Sequence, residues 1–112
     1  MAIYKYPFDI TQDSIHEIVM PAYSKVLSVQ NQGTNREPEM VLYAEVNPYN
    51  EAYGIREVRT LVCVPTGESG DNVSAEDYQY LGTELLNDKS FVLHFFISQP
   101  RRLYDESITA HF

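Results

Sequence analysis

The chain has 112 residues, one cysteine and a formal net charge of −8, with 44% hydrophobic and 12% aromatic residues. This length fits a single domain, and this composition argues against intrinsic disorder and a disulfide framework. The acidic balance argues against direct binding to nucleic acid or an anionic membrane surface, because both need clustered Lys and Arg.

In the first half of the chain, apolar residues recur mostly at every second position, which predicts strands. We expect Pro7 to limit the pairing of the first strand. The third strand is predicted to alternate, with Leu27 and Val29 apolar at even spacing. Residues 33–38 and 47–54 are predicted to be a turn and a loop. The predicted strands are 3–6, 15–20, 25–32, 40–46 and 55–64, and Met40, Leu42, Ala44 and Val46 share one face of the fourth.

In the second half, residues 61–64 are apolar throughout and are therefore predicted to be buried on both faces of the sheet. Residues 65–71 contain the strongest loop signal of the chain. Strand 77–86, with a bulge predicted at Gly82, forms a predicted hairpin with 91–98. Because 91–98 is the most hydrophobic segment, we expect it to be a central strand. Ser74 and Asp77 resemble a capping box, which predicts one helical turn.

These elements predict an all-β, mostly antiparallel fold. The expected architecture is a small β-sandwich or partly open barrel of about six to seven strands, with at most one short helical turn. Residues 1–98 are predicted to form a single β domain. Residues 99–112 are predicted to be a C-terminal tail or an arm that docks on a neighbouring chain.

The residue types that carry catalysis or bind metal do not occur at productive spacings. Cys63 lies in an apolar strand, where a thiol acts as a small hydrophobic group. His94 alternates onto one face with Val92, Phe96 and Ser98, which favours a buried neutral histidine over a catalytic base. We therefore predict a protein with no catalytic residues, metal or cofactor.

Tyrosines and one loop are the candidates for binding. The chain has nine Tyr and no Trp, and Tyr is common both at interfaces and on ordinary sheet faces. The turn from Thr66 to Gly70 lacks the Lys of a phosphate-binding loop, so it is either an ordinary flexible loop or a ligand-gating loop. The candidate binding residues are Tyr49, Tyr53, Thr66, Gly67, Glu68, Tyr78, Tyr80 and His94.

Several short blocks, in this order along the chain, resemble small proteins of tailed bacteriophages that share a domain of unknown function. The acidic segment 68–77 and the residues from Ile97 onward depart from that resemblance. The resemblance implies a phage origin and no catalytic residues. The blocks are Tyr4–Pro7, Met20–Pro21, Lys25–Gln32, Tyr43–Pro48, Thr66–Gly67, Tyr80–Thr83 and Phe91–Phe96.

The expected function is that of a non-enzymatic phage accessory protein in the cytoplasm of the infected bacterium. It would bind and block a host protein or sequester a small polar signalling ligand, including in an anti-defence role. The alternatives are a virion decoration subunit, located in the virion, and an acidic DNA mimic. We also expect a homo-oligomer, with a dimer favoured. Residues 65–90 carry −5 of the net charge, which serves solubility or steers a basic partner.

Overall fold

The computed structural model describes residues 1–68, 73–74, 76–87 and 91–103. These residues form eight strands and one short helix. The elements are β1 (Ala2–Phe8), β2 (Ile15–Pro21), β3 (Lys25–Asn31), β4 (Met40–Val46), α1 (Pro48–Ala52), β5 (Arg56–Pro65), β6 (Tyr78–Leu86), β7 (Phe91–Ser98) and β8 (Arg101–Leu103).

The strands form two antiparallel sheets. The smaller sheet has the order β1-β4-β3, and the larger has the order β2-β5-β7-β6. β8 pairs with residues 56–58 of β5, on the edge that β7 occupies further along, because β2 occupies the other edge. The predicted mostly antiparallel all-β class is confirmed, and the described strands do not close into a barrel. The predicted central position of β7 is also confirmed, since β7 lies between β5 and β6.

The hydrophobic core lies between the two sheets. The shared face predicted for β4 is confirmed, because Met40, Leu42, Ala44 and Val46 are all buried, and Val41 on the opposite face is buried too. Leu61, Cys63, Leu93, Phe95 and Ile97 join the same buried cluster from β5 and β7. Phe95 is 0% exposed and meets the Phe8 ring edge-on, with 6.0 Å between ring centroids.

Two sequence predictions about the smaller sheet are wrong. β1 continues through Pro7 to Phe8, because β1 is an edge strand and a proline there costs no ladder hydrogen bond. In β3 the register shifts between Val26 and Ser28. The extra residue at this bulge, Leu27, is 41% exposed and does not share the environment of the buried Val29.

The segment predicted as a loop at 47–54 contains α1. Asn47 caps the helix, since its side chain accepts a hydrogen bond from the amide of Tyr49 at 3.0 Å. Pro48 stands at the start of the helix, where its missing N–H has no helical partner to lose. The cap and the proline together explain why a turn-rich sequence forms a short helix.

The hairpin of β6 and β7 follows the prediction. The register shifts between Tyr80 and Gly82, and the φ of Gly82 is 153°, a conformation that side chains disfavour. Before β6, the Ser74 hydroxyl accepts from the amide of Asp77 at 3.2 Å and donates to its carboxylate at 2.8 Å, so these residues form the expected capped turn.

The remaining predictions concern the chain segments around these elements. Residues 101–103 of the predicted tail pair with β5 as β8. Residues 104–112, and parts of the predicted loop 65–71 and turn 87–90, lie outside the described residues.

Candidate functional site

The outer face of the five-stranded sheet places large apolar side chains side by side. The strand register aligns Ile15, Val62, Phe96 and Tyr80 in one row across β2, β5, β7 and β6. The alternate residues of β5 and β7 belong to the core, so this row faces away from it. Ile15 and Tyr80 are 47% and 55% exposed, and the Phe96 and Tyr80 rings lie 5.6 Å apart. We call this row the outer-face stripe.

Four polar side chains, one of them the Tyr80 of the outer-face stripe, form a continuous hydrogen-bonded chain. His94 Nε2 lies 2.6 Å from Thr66 Oγ1, and His94 Nδ1 lies 2.8 Å from Thr83 Oγ1. The Thr83 hydroxyl also bonds to the hydroxyl of Tyr80. We call Thr66, Tyr80, Thr83 and His94 the hydroxyl–histidine cluster.

The β-bulge in β6 is the reason that the cluster can form. Residues three apart on a regular strand point to opposite faces of a sheet. The register shift before Gly82 brings Thr83 opposite His94 while Tyr80 stays opposite Phe96, so Tyr80 and Thr83 share the outer face. Thr66 is held at the other side of His94, because its amide donates to the carbonyl of Val92 at 3.0 Å.

Counting hydrogens shows that the cluster can recognise a further polar group. With a neutral His94, the four side chains carry one polar hydrogen each, and their three mutual hydrogen bonds use three of these. If all bonds run one way, the spare O–H belongs to Thr66, and if they run the other way it belongs to Tyr80. Both end residues are exposed. A partner's acceptor at one end therefore orients every bond of the chain.

The structure brings most of the sequence-predicted binding residues together. Thr66, Tyr80 and His94 belong to one cluster, and Gly67 and Glu68 follow Thr66 in the same turn, where the amide of Glu68 bonds to the carbonyl of Pro65. Gly67 has a φ of 89°, so a side chain at this position would strain the turn. Tyr78 lies two residues before Tyr80, opposite Ser98 on the same face.

The other two predicted residues lie elsewhere. Tyr49 and Tyr53 are on and just after α1, which precedes β5, whereas the cluster lies where β5 ends. Their ring centroids are 4.6 Å apart, and they are 63% and 61% exposed. They form a separate aromatic pair and do not contribute to the outer-face stripe.

Sequence reasoning missed a buried ion pair in β5. Glu57 is only 2% exposed, and its carboxylate accepts from Arg59 Nε at 2.7 Å and from the amide of Ser24 at 3.0 Å. Arg59 also donates to the carbonyls of Ser24 at 2.9 Å and Ser98 at 3.2 Å. The pair therefore ties β5 to the turn after β2 and to the end of β7. In the sequence, the only signal at this position was that charged residues alternate with apolar ones.

Other potential sites are separate from the cluster. A cavity of about 820 Å³ lies between the end of β1 and residues 32–41, and none of the sequence-predicted binding residues lines it. Within the described ranges, no three His, Cys, Asp or Glu side chains are grouped so that they could hold a metal ion. No helix among the described residues is long and apolar enough to span a bilayer.

Cys63 lies in the core, and burial raises the pKa of its thiol to about 12. The reactive thiolate is then scarce at pH 8, well below that pKa. We expect a disulfide reagent such as 5,5′-dithiobis(2-nitrobenzoate) to label the native protein at least about a hundredfold more slowly than the urea-unfolded chain. Equal rates in the two states would show that Cys63 is accessible, contrary to its burial.

Comparison with known proteins places the chain in a family. A search of curated proteins and a search of solved structures found no match. A family model described as Domain of unknown function (DUF7352) matches residues 1–103, a range that contains every strand described above. The chain therefore belongs to this family of domains of unknown function.

Proposed function

We propose that this chain is a non-enzymatic phage accessory protein that binds and blocks a host protein through the outer face of its five-stranded sheet. The observation that carries the proposal is the outer-face stripe together with the hydroxyl–histidine cluster beside it. The phage origin rests on the sequence blocks quoted above. Three of those blocks, Thr66–Gly67, Tyr80–Thr83 and Phe91–Phe96, contribute all four side chains of the cluster.

The physical character of this face favours a macromolecular partner. Protein interfaces have aromatic and apolar centres with a few directional hydrogen bonds. The Phe96 and Tyr80 rings supply the aromatic centre, and the spare O–H of the cluster supplies a directional hydrogen bond. A sheet face is broad and has no enclosing walls, so it suits a complementary protein surface better than a small ligand.

Charge at the edges of the face restricts the kind of partner. Glu68 lies in the turn beside the cluster, and Glu76 and Asp77 lie just before β6; all three are exposed. Charged groups at the rim of an interface mainly steer encounter and select partners. We therefore infer that the partner presents an apolar patch flanked by Lys or Arg, and that raising the salt concentration slows association.

The partners of His94 support recognition over catalysis. A threonine hydroxyl hydrogen-bonded to a histidine resembles the nucleophile and general base of a catalytic site. In such sites a carboxylate on the second ring nitrogen stabilises the imidazolium that forms. Here the group on Nδ1 is the neutral hydroxyl of Thr83. A hydroxyl positions the ring without supplying that stabilisation, which suits a hydrogen-bonding role.

Affinity capture from a bacterial lysate with matched variants tests the proposal. His94→Phe keeps a flat ring but removes both hydrogen bonds, and Tyr80→Ser removes an aromatic side chain that is 55% exposed. Tyr49→Ser is the control, because Tyr49 is 63% exposed but lies on α1. We expect the wild type and the control to retain the same host protein. Each outer-face variant should retain it at least about tenfold more weakly.

Three other outcomes would contradict the proposal. Equal retention by all four proteins would show that the outer face does not take part in binding. A small molecule that co-purifies with the wild type in native mass spectrometry, with no retained protein, would favour the ligand-sequestering alternative. If the same spectrum shows a dimer that His94→Phe dissociates, the face binds a second copy of the chain and not a host protein.

A further inference from the structure

The geometry points to a binding site for an oxyanion, of the size of phosphate or a carboxylate, beside the buried ion pair at the junction of β5 and β8. This inference goes beyond the proposed function and uses a different surface. A cavity of about 340 Å³ opens at this point, near the lower end of the roughly 300–1,000 Å³ typical of ligand pockets. It is lined by Tyr23, Ser24, Glu57, Arg59, Pro100 and Arg102.

The charges of the described residues that line this cavity sum to +1 in a protein of net charge −8. Arg59 and Arg102 each contribute +1, and Glu57 contributes −1. Glu57 is committed to Arg59, at 2.7 Å. Among the residues that the structure describes, no carboxylate lies within ion-pair distance of Arg102. A guanidinium that has no counter-charge among these residues, in a partly enclosed pocket, favours binding of an anion.

Arg102 lines the cavity and contacts the Tyr23 ring. The β5–β8 register places Arg102 opposite Glu57. Its guanidinium carbon lies 4.5 Å from the centroid of the Tyr23 ring, a cation–π contact. Tyr23 has a φ of 62°, unfavourable for a bulky residue, and its side chain is 80% exposed. The strained turn thus holds an exposed ring beneath the guanidinium, which limits the conformations of Arg102.

Arg59 supplies the second set of donors. A guanidinium has five N–H groups. Arg59 uses three of them on Glu57, Ser24 and Ser98, so two N–H groups remain. Arginine is the side chain best suited to phosphate and carboxylate, because its planar donors match pairs of oxygens. An oxyanion in the cavity would accept hydrogen bonds from both Arg59 and Arg102.

Titration calorimetry at constant ionic strength tests this site with inorganic phosphate and, separately, with acetate. Arg102→Gln removes the positive charge that we propose binds the anion. Arg101→Gln is the matched control, because Arg101 is the neighbouring residue in β8, opposite Val58, with its side chain 70% exposed and 3.6 Å from Glu17. We expect saturable binding to the wild type, weakened about tenfold by Arg102→Gln and by less than about twofold by Arg101→Gln.

The two anions identify the preferred headgroup. Tighter binding of phosphate assigns a phosphate-bearing ligand, and tighter binding of acetate assigns a carboxylate-bearing one. Equal weakening by both arginine variants would reduce the effect to general electrostatics and overturn the site, as would absence of saturable binding of either anion. Capture of a host protein by the outer face does not depend on Arg102, so failure of this site and failure of the proposed function are distinguishable.

Discussion

Replacing Arg59 by methionine should lower the free energy of unfolding by about 3–5 kcal/mol, because it leaves a buried carboxylate without its ionic partner. Glu57 is 2% exposed and would keep only the amide of Ser24 as a donor among its present partners. The carbonyls of Ser24 and Ser98 would lose their guanidinium donors as well. Urea denaturation followed by far-ultraviolet circular dichroism measures the loss.

A double variant isolates the charge as the cause. Glu57→Leu combined with Arg59→Met removes both members of the pair, and replacing a whole buried ion pair by apolar residues is often neutral or stabilising. We expect this double variant to be more stable than Arg59→Met alone. If the two variants are equally unstable, the lost stability comes from packing of the Arg59 side chain and not from an uncompensated Glu57 charge.

Phe95→Ala should cost about 3–5 kcal/mol, the range typical of removing a fully buried aromatic side chain from a core. Phe95 is 0% exposed and lies in β7, with its ring against Phe8 of the other sheet. The substitution therefore removes contacts that join the two sheets. The cavity left behind would be lined by the surrounding core side chains, which can collapse only in part.

The neighbouring phenylalanine is the matched control. Phe96 points to the opposite face of β7 and is half-buried against Tyr80. Phe96→Ala should therefore destabilise the protein by less than half as much as Phe95→Ala. It also removes the ring that contacts Tyr80 in the outer-face stripe. A larger loss from Phe96→Ala than from Phe95→Ala would mean that the faces of β7 are assigned the wrong way round.

The fold followed from the sequence where the side-chain period was regular. The bounds of β4 and its buried face match the prediction, and only Val41 on the opposite face is buried as well. The bulge at Gly82 was predicted because glycine marks such positions. The bulge at Leu27 was not, because leucine carries no such signal, and one extra residue reverses the faces of the positions beyond it.

The sequence predicted only part of the candidate site. Thr66, Tyr80 and His94 were each predicted as binding residues for separate reasons, and the structure shows them joined by hydrogen bonds. Thr83 was missed, since it shares their face only because of the bulge. Their role in binding remains a prediction.

The buried ion pair could not be predicted from local pattern. A charged side chain is buried only where the fold supplies its partners, and Ser24 lies 33 residues from Glu57 in the chain. The alternation of charged and apolar residues in β5 does not show which charges are buried. The turn after β2 and the end of β7 must both lie against β5 before Glu57 and Arg59 have all their partners.

Photo-crosslinking in the bacterial host tests the proposed binding face most directly. p-Benzoylphenylalanine at Leu85, 43% exposed on the outer face of β6 opposite Val92, probes that face. The same group at Leu27, 41% exposed at the bulge of β3, is the matched control on the other sheet. We predict a covalent adduct with one host protein from position 85 only. An adduct from position 27 only, or none from position 85, would contradict recognition through the five-stranded sheet.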